Sequence, residues 1–172
     1  MNIRSLVLLS VFVGIGAVLH AVVPGLVFGM KPDMMLTMMF LGILVVPKLP
    51  YVVLISLVTG MISALTTGIP GGAIANMIDK PITALVFFGL FLFFRKKLSS
   101  NVTAISLTVV GTIVSGFVFL SVLLLFLGIE GSFLLMFTTI VLPTTAINAV
   151  LMGVLYPVIQ TISRRSQLIP EV

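Results

Sequence analysis

Apolar residues fill long stretches of the chain, interrupted by short clusters of glycine, proline and charge rather than by regular alternation. The uninterrupted runs predict six helical spans, over residues 5–23, 33–46, 51–67, 80–94, 102–127 and 133–162. "PG" at 24–25 closes the first span. The second is short and ends at "PKLP", residues 47–50, where two prolines force a turn. "GIPGGAIANMI", residues 68–78, is too irregular for a span and too apolar for a solvated loop, so it is expected to fold back onto the protein. "FFRKK" at 93–97 ends the fourth span, and "GIEGS" at 128–132 links the fifth to the sixth. No internal repeat or linker divides residues 1–172, so one transmembrane domain is expected.

Composition fixes the medium in which these helices fold. Hydrophobic residues make up 60% of the chain and charged ones 8%, with a mean hydropathy of +1.38, against about a quarter charged in soluble domains. The expected class is an all-α integral membrane protein, a six-helix bundle, because backbone groups in lipid must be satisfied within helices or a closed barrel, and barrel-type alternation is lacking. Six spans put both termini on one side, together with Arg4, Lys48, Arg95, Lys96, Lys97, Arg164 and Arg165. Lys31 and Lys80 are the bases left for the other side. By the positive-inside rule the termini are cytoplasmic, in a multi-pass protein of the cell membrane. The same topology accounts for the net charge of +5 without a nucleic-acid partner.

It also gathers the rest of the scarce charge at the outer edge. Lys31-Pro32-Asp33 and Asp79-Lys80-Pro81 carry the same three residue types before apolar runs, with His20 and Glu130 nearby. Proline in a first helical turn and an acid at the positive end of the helix dipole explain part of each motif as a helix start. A lysine there is mildly unfavourable, and two of them point to a bound anionic group. Lysine with free helix-start amides takes a carboxylate, and aspartate takes an ammonium, so together they suit a small zwitterion. Lys31 with Asp33, and Lys80 with Asp79, would neutralise each other in an empty site.

Around these lie further candidates, each with a plainer alternative. Asn76 precedes the second motif. Asn148 sits within span six behind "LPTT", where its amide serves a helix–helix hydrogen bond or a ligand, and Pro143 is expected to kink the helix. Phe87, Phe91 and Phe94 share one face of span four, and Met30, Met34, Met35, Met38 and Met39 crowd the first motif. Both groups are either core filling or the wall of an aromatic cleft. Ser10, Gly14, Ala17 and Ala21 form a ridge of small residues on span one, which packs against an internal neighbour or against a separate membrane subunit. Gly111 with Ser115 and Thr112 with Gly116 form a similar, internal ridge on span five.

Absences narrow the function. There is no cysteine, hence no disulfide or thiolate chemistry, and no GxxxxGK[ST] loop for nucleotide hydrolysis. No acid or base is expected deep in a span, so any energy for uphill transport has to come from a partner or an unobvious ion site. No catalytic residue, metal site or cofactor is assigned, and the protein is not expected to be an enzyme.

The blocks "GMKPDMMLTMMFLGILVVPK", "VTGMISALTT", "NMIDKPITALVFFGLFLFFRK" and "LTVVGTIVSGFVFLSV" resemble the bacterial tryptophan transporter family, counted among the substrate-binding S components of energy-coupling factor (ECF) transporters. The resemblance spans nearly the whole chain. It implies an S-component-like bundle of six helices that captures L-tryptophan outside and works with a transmembrane coupling subunit and two cytoplasmic ATPases. It also implies that Ala17 and Ala21 match the helix-one element that docks the coupling subunit. The ligand site then maps to Lys31, Asp33, Asn76, Asp79, Lys80 and Asn148, with Glu130, Thr144 and Thr145 beside it. Lys31 or Lys80 would hold the carboxylate, Asp33 or Asp79 the ammonium, and methionine and phenylalanine the indole, with the 68–78 loop closing over it. The rival expectations are a self-sufficient ion-coupled carrier for aromatic amino acids and a non-transporting membrane scaffold.

Overall fold

A computed structural model describes residues 2–22, 33–95, 100–128 and 130–166, all in helices and short connections. The order is α1 (Ile3–Val22), α2 (Met34–Val45), α3 (Leu49–Thr66), α4 (Gly72–Phe94), α5 (Ser100–Leu120), α6 (Phe133–Met136) and α7 (Leu142–Ser166). A π-helical stretch, Ser121–Phe126, extends α5, and a second, Phe137–Val141, joins α6 to α7 into one long element. Five helices among the described residues are long and apolar enough to cross a bilayer. The chain is a multi-pass helical membrane protein.

The exception is α2. Its 12 residues are about 18 Å of helix, short of the roughly 30 Å hydrocarbon core, and every one of them is buried. It packs against α1, α3, α4, α5 and α7. A helix that is apolar all round belongs inside a bundle, and that is where this one lies. The methionines expected as a possible ligand wall, Met34, Met35, Met38 and Met39, are buried in this inner helix. Phe87 likewise faces the core, stacked on Phe40 with ring centroids 4.1 Å apart and planes 4° from parallel. Phe91 and Phe94 pack against the same core.

The largest departure from the expected spans is at α4. The segment 68–78 was expected to be a loop with the fourth helix following Asp79, but α4 starts at Gly72. Gly71 turns the chain with φ 74, a left-handed conformation that glycine adopts without a Cβ clash, and only the short stretch 67–71 separates α3 from α4. Pro81 is therefore inside the helix rather than at its start. Its ring removes the amide that would bond the Met77 carbonyl, a defect membrane helices tolerate when neighbours resatisfy the freed group. Asp79 and Lys80 lie roughly two turns below the start of α4, so the expectation that no acid or base sits deep in a span is overturned.

The small residues of α5 are internal, as expected. A Cβ on Gly111 would meet Phe40 Cζ at 2.7 Å and Phe87 Cδ2 at 2.9 Å, and one on Gly116 would meet Val141 at 2.4 Å. Gly111→Ala is expected to destabilise the fold by about 1–3 kcal/mol through overpacking of the Phe40–Phe87 stack. A thermal unfolding midpoint equal to that of the parent would show that the stack gives way freely.

Candidate functional site

Three charged side chains meet where α2 and α4 pack together. Asp33 is the N-cap of α2; its Oδ1 accepts from the Leu36 amide at 2.9 Å, as a helix-start acid should. Its Oδ2 accepts from Lys80 Nζ at 2.7 Å. Lys80 Nζ also donates to Asp79 Oδ2 at 3.0 Å. Asp79 completes its shell with hydroxyls: Thr83 donates to Oδ1 and Ser115, from α5, donates to Oδ2, both at 2.7 Å. Lys80 is thus a cation between two carboxylates on different helices. The pairing of Asp79 with Lys80 matches the expectation, whereas Asp33 pairs with Lys80. Lys31, its expected partner, lies outside the described residues.

Exposure separates the two acids. The Asp79 side chain is 0% exposed and Lys80 2%, but Asp33 is 25% exposed. Buried charges need complete pairing to offset their desolvation, and Asp79 has it, with three donors on its two oxygens. Asp33 accepts two hydrogen bonds from the described residues.

These groups line a cavity of about 570 Å³, within the range of small-molecule sites. Its polar side includes Asp33, Asp79, Lys80, Asn76, His20, Ser63 and Ser115, and its apolar side Phe119, Leu120, Met136, Ile140 and Val141. The lining comes from the C-terminal ends of α1, α3 and α5 and the N-terminal ends of α2, α4 and the α6–α7 element, so the cavity opens at the end of the bundle away from both termini. The second π-helical stretch, Phe137–Val141, contributes Ile140 and Val141 to it, and the first begins directly after the lining residue Leu120. A π turn offsets the side-chain register by one residue, which lets Met136, Ile140 and Val141 all contribute to one wall. The π stretch ends two residues before Pro143.

The remaining expected residues fall at different depths. Asn76 lines the cavity, its Nδ2 donating to the carbonyls of Gly72 at 3.0 Å and Ser63 at 3.4 Å. Thr144 also lines it. Asn148 is not in the wall; it is fully buried one turn further along α7 and donates to Thr112 Oγ1 at 3.3 Å, a helix–helix bond that props a lining residue. Thr145 turns its hydroxyl to the Val141 carbonyl, and Glu130 is exposed and away from the cavity. Sequence reasoning passed over Ser63, Thr83, Ser115 and Phe119 as site residues. The signal was Thr108, Thr112 and Ser115, a hydroxyl stripe at spacings of four and three in an otherwise apolar span, of which Thr112 and Ser115 were read only as part of a packing ridge.

On α1 the small-residue ridge faces away from the bundle. Ser10, Gly14 and Ala21 are exposed, Ala17 is half-buried, and a Cβ on Gly14 would meet nothing within 4 Å. The expected alternative of an internal neighbour does not hold for Ser10, Gly14 and Ala21.

Comparison with known proteins supplies a family. The family model described as tryptophan transporter TrpP matches residues 2–164. A "Probable tryptophan transport protein" of Bacillus subtilis strain 168 is 51% identical over 166 residues, 96% of each chain. Proteins of the same description from Clostridium acetobutylicum and Clostridium perfringens strain 13 are 37% identical over 91% of each chain and 32% identical over 98% of this chain and 97% of the relative. No solved structure matches the chain.

Proposed function

Since the chain belongs to the tryptophan transporter family, we propose that it is the substrate-binding subunit for tryptophan uptake, capturing L-tryptophan in the cavity between α2, α4, α5 and the α6–α7 element. The observation that carries this is the pairing, in one cavity, of an ion cluster of both signs with an apolar wall. Asp33 faces the ammonium. Lys80, with two of its three donors engaged, offers the third to the carboxylate, and Ser63 and His20 lie in the same lining. Phe119, Leu120, Met136 and Ile140 take the indole, a wall that keeps a phenylalanine and a methionine but not the ones singled out from the sequence around span four and the first motif.

Orientation and partnership follow as parts of the same proposal. Arg4, Lys48 and Arg95 are exposed at the end of the bundle opposite the cavity, which supports cytoplasmic termini and an outward-facing site in the cell membrane. The lack of a nucleotide-binding loop and the outward small-residue ridge on α1 support an S component driven by an ECF coupling subunit and two ATPases, with Ala17 and Ala21 in the docking face. One observation favours a second reading, an ion-coupled carrier: Asp79 and Lys80 are charges buried within a span, as in proton- or ion-driven transporters.

The chain contains no tryptophan, so emission from bound ligand is free of protein indole background. Titration of the purified protein with L-tryptophan is expected to give a saturable emission change, and its absence would sink the binding role. Uptake into vesicles only when the ATPase module is co-reconstituted is the expected second result. Uptake under an ion gradient alone would favour the carrier.

A further inference from the structure

The charges of the cavity are unequal. Among the described lining residues, two carboxylates share one ammonium, with His20 as the remaining titratable group. The surplus negative charge is not spread evenly. Asp79, although in the lining, has its oxygens taken by Lys80, Thr83 and Ser115 and its side chain is 0% exposed. Asp33 is the accessible member, with two donors among the described residues and a quarter of its side chain open.

A ligand therefore meets an unequal pair of anchors. An ammonium at Asp33 gains a charge-assisted bond and relieves the surplus. Among the described lining residues the ammonium open to a carboxylate is that of Lys80, and a carboxylate there sits next to both aspartates, which lie 2.7 and 3.0 Å from the same nitrogen. We propose that the cavity recognises its ligand chiefly through an ammonium group at Asp33, and that it accordingly accepts aromatic primary amines lacking a carboxylate while rejecting the matching acids. This rests on the binding role proposed above and extends the ligand class from an amino acid to arylalkylamines such as tryptamine.

The test is a fluorescence titration of the purified full chain with L-tryptophan, tryptamine and indole-3-propionate, repeated for Asp33→Asn. Asparagine caps a helix as well as aspartate does, so the Leu36 bond survives while the charge is removed. Asp33→Ser, another good cap, is the second variant should the first fail to yield folded protein. Tryptamine is expected to bind within about tenfold of L-tryptophan, and indole-3-propionate about 10- to 100-fold more weakly than tryptamine, the worth of one charge-assisted bond. Both variants are expected to lose about 10- to 100-fold for tryptamine. Indole-3-propionate binding as tightly as tryptamine, or tryptamine affinity unchanged in the folded variants, overturns the proposal. Binding of L-tryptophan with refusal of tryptamine also overturns it and leaves the tryptophan role standing. Binding of tryptamine with refusal of L-tryptophan does the reverse.

Discussion

Lys80→Met is expected to lower stability more than any other single change in the cavity and to weaken L-tryptophan binding by about tenfold through loss of the carboxylate's donor. Methionine approximates the lysine stem, so packing between α2 and α4 is largely kept and the lost ammonium is the main effect. Two carboxylates 2.7 and 3.0 Å from the former nitrogen then lose the cation they share among the described residues, one of them fully buried. Breaking a buried ion pair by removing one partner costs about 3–5 kcal/mol, because the uncompensated charge stays where water cannot reach it. Replacing the whole set is a different matter, since a buried ion pair exchanged for neutral groups is often neutral or stabilising. The triple variant Asp33→Asn, Asp79→Asn, Lys80→Met should accordingly recover much of the lost thermal midpoint while losing ligand binding together with the Asp33 charge. Both quantities are read from purified protein, the first by thermal unfolding and the second by ligand fluorescence. A single variant as stable as the parent would show that the cluster does not hold α2 to α4.

That cluster also shows how far the sequence could be read. Asp33, Asp79 and Lys80 stood out because a chain with 8% charge rarely places ions beside apolar runs, and the structure brings those three into contact. Their depth was not legible. Proline reads the same at the first turn of a helix and inside a membrane span, so "DKP" passed for a helix start, although Gly71 had already turned the chain and α4 had begun at Gly72. The pairing across helices was hidden for a related reason. Adjacent charges in the sequence invite neighbouring pairs, whereas Lys80 reaches Asp33 across 47 positions because a short inner helix carries that aspartate to it. The apolar wall was misassigned because methionine and phenylalanine at helical spacing fill a core and line a cleft with the same pattern. Ile140 and Val141 reach the cavity from a π stretch, Phe137–Val141, which no residue pattern announces.

Gly14→Leu combined with Ala21→Leu is expected to cut ATPase-dependent tryptophan uptake by at least about tenfold while leaving L-tryptophan affinity within about twofold. The two positions lie on the outward ridge of α1, where a Cβ on Gly14 meets no described atom within 4 Å and Ala21 is exposed, so the larger side chains are directed away from the described bundle. Helices associate in lipid through close backbone approach over small residues rather than through hydrophobic gain, since lipid tails are as apolar as leucine. A leucine at such a contact holds the partner helix off, and overpacking of about 1–3 kcal/mol is enough to lose about tenfold or more in association. Gly89→Leu supplies the control. Gly89 is also exposed with nothing within 4 Å of its Cβ position, but it lies on α4 away from the α1 ridge. It should leave both uptake and binding near parental values. If Gly89→Leu impairs uptake as much as the α1 pair does, bulk on the lipid face is the cause. If the α1 pair transports normally, the ridge docks nothing, and the coupling subunit has to engage the chain elsewhere or not at all.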